Sequence, residues 1–338
     1  MNRQEEKYGK YALMREMLET VEVIRKFPID EVKKIASSVK NKKILLTGEG
    51  SSRIFPAKKI IYDALKNNYR QAFFTEGANQ ACEYNLDNFS VCIASNSGKT
   101  KECVRLMTQL KKQGHKNIIG VTANSGTPVA SDSNLAHVLA CGKEDAVAAT
   151  KSVIATALFY DVLFRILNKA ELPDPARLAG LIETALTMPV KNEITGRIAD
   201  SPRLFYAGRN NGVAEEITLK TNEITRKKSA FLEGTYAVHG IEEVMHKDET
   251  VIVFDPFLHE EEKFEEVLVK GVGMTVLSVS STASRFPGLK IPEYGDFSPY
   301  IQLAAGWNLL VEAGLALNIN LDKPERARKV GNEFIAGK

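Results

Sequence analysis

The sequence has few cysteines and little net charge, and each scarcity excludes a class of protein. The four cysteines among 338 residues include no C-x-x-C pair, and none has a histidine at zinc-ligand spacing. The formal net charge is only +3, so the composition does not indicate a nucleic-acid-binding surface. No apolar run reaches the roughly 18 residues that a membrane-spanning helix needs, and the polar, mixed-charge N-terminus is unlike a signal peptide. We therefore expect a reduced, cytoplasmic protein without a metal or other cofactor.

Short apolar runs instead alternate with amphipathic stretches through both halves of the chain. This alternation predicts an α/β fold in which mostly parallel sheets carry helices on both faces. The runs predicted as buried strands are 43–47, 71–74, 91–94, 117–121, 137–140, 204–207, 229–232, 251–254 and 274–279.

The two halves have the same plan. A strand–glycine–helix opening at 44–52 has a counterpart at 204–212, so the period is about 160 residues, the size of a domain. The segment Leu172–Pro175 has the composition of a hinge. We therefore predict two domains, 1–172 and 173–338, related by duplication. The alternative is convergence on a common βα unit.

The segment Ser95–Thr100 indicates an anion site. It follows an apolar run and leads into a stretch with helical periodicity, so hydroxyls, helix N–H groups and the helix dipole are expected to meet there. A nucleotide-binding P-loop is excluded because its first glycine would stand at position 93, which is Ile93. A polar turn that only caps a helix remains an alternative explanation of this segment by itself.

Six segments, in this order and spacing, resemble the sugar isomerase (SIS) family of double-domain phosphosugar enzymes, which includes the isomerase half of glucosamine-6-phosphate synthase and the fructosamine-6-phosphate deglycases. The resemblance covers nearly the whole chain and implies two tandem SIS domains, each a flavodoxin-like, three-layer α/β fold. The segments are 13–17 (LMREM), 50–52 (GSS), 95–100 (SNSGKT), 147–151 (VAATK), 214–224 (AEEITLKTNEI) and 322–329 (DKPERARK).

The resemblance implies an enzyme that transfers a proton between C1 and C2 of an open-chain hexose 6-phosphate, aminosugar 6-phosphate or fructosamine 6-phosphate, with or without amine release. By resemblance Glu223 is the carbon acid–base, His239 opens the ring from the partner subunit of a homodimer, and Lys329 opens the ring or forms an imine. Carboxylate and imidazole groups suit these two proton transfers. The implied substrate- and phosphate-binding residues are Gly50, Ser51, Ser52, Arg53, Ser95, Asn96, Ser97, Thr100, Ala148, Glu216 and Lys220.

Without the family pattern, the same residues have plainer explanations. Glu216, Lys220 and Glu223 stand at i, i+4 and i+7 on one helix face, and such a stripe is usually solvated. His239 precedes a glycine and would more often be an ordinary loop residue.

The sequence also departs from the family pattern. Arg53 and Lys99 add positive charge near the expected anion site, which suits a phosphate or a C6 sulfonate, and Ala149 replaces a serine. The segment 234–240 is one residue longer than its family counterpart and lacks the proline. The first cysteine is Cys82, so we expect no glutaminase function. The alternatives are an isomerase of a C6-sulfonated sugar and a non-catalytic regulator that binds a sugar phosphate.

Overall fold

The computed structural model describes residues 1–327, which divide into two compact units. The first-sheet unit comprises Glu22–Glu144 and Ala149–Ala176. The second-sheet unit comprises Met1–Val21, Asp145–Ala148 and residues 177–327. This partition places the N-terminal residues with the second sheet, whereas the sequence assigned them to a first domain of residues 1–172. The boundary at 172/173 stays a prediction.

Helices and strands alternate along most of the chain. The helices are α1 Glu6–Gly9, α2 Ala12–Arg25, α3 Ile29–Ala36, α4 Ile54–Lys66, α5 Ala78–Ala81, α6 Lys101–Lys112, α7 Pro128–Ser131, α8 Lys151–Asn168, α9 Pro175–Thr187, α10 Asn192–Asp200, α11 Val213–Thr225, α12 Glu261–Phe264 and α13 Ser298–Ala316. The strands are β1 Lys43–Gly48, β2 Ala72–Gly77, β3 Phe89–Ala94, β4 Ile118–Thr122, β5 Leu135–Val138, β6 Arg203–Gly208, β7 Lys228–Glu233, β8 Thr250–Phe254, β9 Thr275–Ser280 and β10 Gly288–Lys290. Between residues 1 and 327, no helix has both the length and the apolar character needed to cross a membrane.

The first sheet is parallel and has the strand order β2-β1-β3-β4-β5. Successive residues of β1 and β3 point to opposite faces, as the pleat requires. Leu45, Val91 and Ile93 pack with α6, whereas Ile44 and Cys92 pack with α3, α4 and α8. Both faces are therefore covered by helices, which explains why the strands are continuously apolar rather than alternating.

The second sheet repeats this topology with the order β7-β6-β8-β9-β10, again parallel. One face packs against α12 and a π-helical segment at Glu265–Val272 through Phe264 and Leu268. On the other face the Tyr206 hydroxyl pairs with Thr221 Oγ1 of α11 at 2.7 Å. Thus each unit is a three-layer α/β sandwich, and each has its crossover point between its first and third strands.

The strands predicted from apolar runs are all present, with two differences. The fifth strand runs from Leu135 to Val138, two residues before its predicted start. Strand β10 was not predicted because its three residues, Gly288–Lys290, contain no apolar run. It forms because β9 supplies a ladder of backbone partners, which no local pattern shows.

Candidate active site

The loop Ser95–Thr100 lies at the carboxyl end of β3, beside the point where the strand order reverses. In parallel α/β sheets this crevice is the usual ligand site. Ser95 Oγ lies 2.7 Å from Thr100 Oγ1 and accepts the Gly98 N–H at 3.1 Å. Ser97 Oγ accepts the Lys99 N–H at 3.2 Å. These bonds fold the loop into a compact turn.

The loop ends at the N-terminus of α6, where the helix dipole favours an anion. Thr100 stands at the N-cap position, and its side chain makes no capping bond to the helix. The first-turn N–H groups of an uncapped helix are available to an anion. Ser95 is 2% exposed, so its hydroxyl holds the loop internally. Ser97 and Thr100 are half-buried and better placed to face a ligand.

Gly98 is required by the shape of this loop. Its φ is +68°, in the left-handed region that L-residues with a side chain rarely adopt. A Cβ at this position would lie 2.0 Å from Thr127 Oγ1 and 2.6 Å from Thr127 Cβ. The loop is therefore packed directly against the start of α7.

Asn96 anchors the loop to its neighbours. Its carbonyl accepts the Ala123 N–H at 3.1 Å and the Thr122 hydroxyl at 3.1 Å. Its side-chain amide donates to Glu144 Oε2 at 2.9 Å. Glu144 was not singled out from the sequence. The only local signal for it is a carboxylate a few residues before a helix start, which often marks a cap.

The first glycine–hydroxyl loop follows β1, next to β3 in the sheet. Gly50–Ser52 forms a 3₁₀ turn, with φ of +53° at Gly50. Glu49 Oε1 accepts the Ala78 N–H at 2.9 Å, and burial raises the pKa of the Glu49 carboxyl. Since Gly48 pairs with Ala94, the structure brings this loop and the loop Ser95–Thr100 to the same sheet edge.

Arg53 points away from the loop Ser95–Thr100. Its Nη1 lies 3.4 Å from Thr75 Oγ1 on β2, and β2 flanks β1 on the side opposite β3. The Arg53 Nε is buried and has no hydrogen-bond partner. The positive charge expected here is thus directed to the β2 side of β1.

The stripe Glu216–Lys220–Glu223 on α11 is largely buried. The Lys220 ammonium lies 3.4 Å from Glu216 Oε1 and 2.8 Å from Glu223 Oε2. The Glu216 and Lys220 side chains are 0% exposed, whereas that of Glu223 is 23% exposed. Helical spacing placed these groups on one face, as predicted. Burial of two charges next to a partly accessible carboxylate is unlike an ordinary solvated stripe.

His239 lies in the loop after β7, and its ring is exposed. Its Nε2 is 3.1 Å from Thr235 Oγ1 and 3.4 Å from Lys263 Nζ. Glu223 is in the last turn of α11, at the amino edge of the second sheet, and β7 then runs back to the carboxyl edge. Six strand residues span about 20 Å. The element order therefore places Glu223 and His239 at opposite edges of the second sheet within one chain.

Ala148 lies in a short segment bound to the N- and C-terminal regions of the second-sheet unit. It is 1% exposed, and the neighbouring Val147 N–H donates to the Asp322 carbonyl at 3.2 Å. The Asp322 carboxylate in turn accepts the Ala12 and Leu13 N–H groups at 2.8 Å, capping α2. Lys329 lies outside the described residues.

Comparison with known families identifies part of the chain. Residues 38–166, which carry the loops after β1 and β3, match the family model described as SIS domain. This stretch, which apart from residues 145–148 lies in the first-sheet unit, is a SIS domain. No group of three or more histidine, cysteine, aspartate or glutamate side chains suited to a metal ion occurs in residues 1–327.

The chain is also similar to curated proteins. Glutamine–fructose-6-phosphate aminotransferase [isomerizing] from Staphylococcus aureus is 23% identical over 252 residues. The match covers 70% of this chain but only 42% of the relative, so the chain corresponds to less than half of that protein.

Solved structures share the fold over nearly the whole chain. Tagatose-6-phosphate ketose/aldose isomerase from Escherichia coli superposes with a TM-score of 0.78 at 17% identity, covering 94% of this chain and 98% of that one. Glucosamine-6-phosphate deaminase from Thermotoga maritima superposes with a TM-score of 0.75 at 20% identity. The match covers 94% of this chain and 98% of the deaminase. At these identities the likeness establishes the fold alone.

Proposed function

We propose that the protein is a sugar-phosphate isomerase, or an isomerising deaminase or deglycase, that moves a proton between C1 and C2 of an open-chain hexose 6-phosphate. The observation that carries this proposal is the loop Ser95–Thr100, where hydroxyls and a helix N-terminus without a cap from Thr100 lie at the switch point of a SIS domain. Such a site suits a phosphate because its N–H groups and dipole favour negative charge. Relatives that act on phosphosugars support the same substrate class.

In this proposal Glu223 is the carbon acid–base. Its carboxylate is partly accessible, and the Lys220 ammonium 2.8 Å away fixes its position. Lys220 is itself held by Glu216 from the same helix face. A carboxylate fixed in this way can take a proton from one carbon of the sugar and return it to the adjacent carbon.

His239 is proposed to act in the partner subunit of a homodimer. The opposite placement of Glu223 and His239 in one chain supports this arrangement, since a single second sheet cannot bring them to one sugar. Apolar side chains at the carboxyl edge around His239 are also exposed, by 51% for Tyr236 and 57% for Val244. A second copy of the chain would cover these groups.

The second-sheet unit is proposed to be a diverged copy of the SIS domain. The family model matches only residues 38–166, but the strand order of the second sheet is the same as that of the first. The superpositions on phosphosugar enzymes, which cover 94% of this chain, support this reading.

Exchange of the substrate carbon proton with solvent tests the catalytic assignment. Glu223→Gln should abolish deuterium exchange from D₂O into a turned-over sugar phosphate, yet leave its binding intact, because the amide keeps the shape but cannot accept the proton. Glu193→Gln, at an exposed carboxylate of the same unit, is the matched control. Normal exchange by the folded Glu223→Gln protein would contradict the assignment.

A binding panel tests the substrate class. Hexose 6-phosphates, aminosugar 6-phosphates and fructosamine 6-phosphates are compared with their unphosphorylated forms by thermal shift, since a ligand of the folded state raises the melting temperature. A shift only with the phosphorylated forms is expected. Equal shifts with neutral sugars would refute the anion site, and binding without turnover would indicate the regulatory alternative.

A further inference from the structure

Glu144 is a buried carboxylate that connects the loop Ser95–Thr100 to helix α8. It is 6% exposed. Its Oε1 accepts the Thr150 N–H at 2.8 Å and the Ser152 N–H at 3.2 Å, and its Oε2 accepts the Ser152 hydroxyl at 2.8 Å. The same Oε2 accepts the Asn96 amide at 2.9 Å. One carboxylate thus accepts backbone N–H groups at the start of α8 and also fixes a side chain of the candidate phosphate loop.

This arrangement distinguishes two helix N-termini of the first-sheet unit. The N-terminus of α8 already has a carboxylate on its N–H groups, which is the role an anion would take there. At the N-terminus of α6 the N-cap residue Thr100 makes no side-chain bond to the helix. Because Glu144 already occupies the α8 terminus, the loop after β3 is the better place for an added anion.

We propose that Glu144 is a positioning residue that sets the anion-binding geometry of the loop Ser95–Thr100 through Asn96. This inference rests on the proposed function, because it assumes that the loop binds the substrate phosphate. Glu144 does not touch the phosphate. Its carboxylate occupies the α8 terminus and holds the Asn96 side chain, so that the hydroxyls of the loop keep one arrangement.

The direction in which anion affinity changes when Glu144 is replaced distinguishes a positioning role from a purely electrostatic one. Removing a negative charge near an anion site should strengthen anion binding by Coulomb's law. Removing a positioning group should weaken it. We therefore expect Glu144→Ala to bind inorganic phosphate at least tenfold more weakly than the native protein. Glu144→Gln should bind phosphate severalfold more weakly than the native protein, because an amide has one acceptor oxygen where the carboxylate has two.

The experiment measures phosphate binding to the full chain by isothermal titration calorimetry. Glu83→Ala, which removes an exposed carboxylate from the same unit, should bind phosphate as well as the native protein or slightly better. In an Asn96→Ala background, Glu144→Ala should cause little further loss, because Glu144 acts through Asn96. Far-UV circular dichroism and the melting temperature establish folding. Glu144→Gln keeps the shape of the side chain and supplies the result if Glu144→Ala does not fold.

Two outcomes overturn the proposal. Folded Glu144→Gln that binds phosphate as tightly as the native protein would show that the carboxylate does not set the loop. Additive losses in the double variant would show that Glu144 does not act through Asn96. Failure of the native protein itself to bind phosphate or a sugar phosphate would instead refute the proposed function, so the two failures are distinguishable.

Discussion

Replacement of Gly98 by alanine should lower both the stability of the first-sheet unit and anion binding at the proposed phosphate loop. Gly98 has φ of +68°, and its missing Cβ leaves room for Thr127. The added methyl would lie 2.6 Å from Thr127 Cβ, so rotation of the Thr127 hydroxyl cannot relieve the contact. Thr127 is also fixed by its hydrogen bond to the Asn124 carbonyl at 2.8 Å. The loop must therefore move.

Two other glycines serve as controls that separate backbone strain from overpacking in the expected loss of stability. Gly114 has nearly the same backbone conformation, with φ of +73°, but no atom lies within 4 Å of the position of its Cβ. Gly114→Ala should therefore cost only the left-handed strain, about 1–2 kcal/mol. Gly98→Ala adds overpacking of about 1–3 kcal/mol. Gly126, which has open space and no positive φ, is the control for alanine itself.

The assay is urea unfolding followed by far-UV circular dichroism, with phosphate titration of the same samples. Gly98→Ala should lower the free energy of unfolding by about 1–3 kcal/mol more than Gly114→Ala. It should also weaken phosphate binding, which Gly114→Ala should leave unchanged. If Gly98→Ala and Gly114→Ala are equally stable and bind phosphate equally, the contact with Thr127 does not hold the loop and the reasoning is wrong.

Two further predictions concern buried titratable groups. Burial lowers the pKa of His137 from its ordinary 6.5 to about 4. The stability that the neutral ring contributes is therefore fully present above pH 6.5, and it is lost as the pH falls toward 4. The native protein should therefore lose about 2 kcal/mol more than His137→Gln between pH 7 and pH 5. Parallel pH profiles of urea unfolding would contradict this. Lys220→Met should destabilise the second-sheet unit by about 3–5 kcal/mol, because it removes the ammonium that lies 3.4 Å from the buried Glu216 carboxylate. Chemical unfolding measures this loss, with exposed Lys247→Met as the control, and equal stability of the two variants would refute it.

Much of the fold could be predicted because its strands and helices have local signals. The run Val91–Ala94 is apolar at every position, which is typical of a strand covered on both faces, and β3 contains it. The spacing of Glu216, Lys220 and Glu223 placed them on one helix face, and Lys220 contacts both glutamates. These signals depend on neighbours a few positions apart, so the sequence displays them directly.

The contacts of the candidate site could not be predicted in the same way. Glu144 and Asn96 are 48 positions apart, and no spacing rule links a residue before one helix to a loop before another. The direction of Arg53 toward Thr75 likewise depends on β2 lying beside β1. Side-chain partners of this kind follow from strand order, which is a property of the assembled sheet.

The sequence by itself determined the element types, the repeated α/β plan, the position of the polar loop after β3 and the helical stripe that contains Glu223. Tertiary structure alone decided that residues 1–21 pack with the second sheet, that the stripe is buried, and that Glu223 and His239 lie at opposite sheet edges. The physical reason is the range of the interactions. Periodicity and turn chemistry act over a few residues, whereas burial and ion pairing depend on which distant segments the fold brings together.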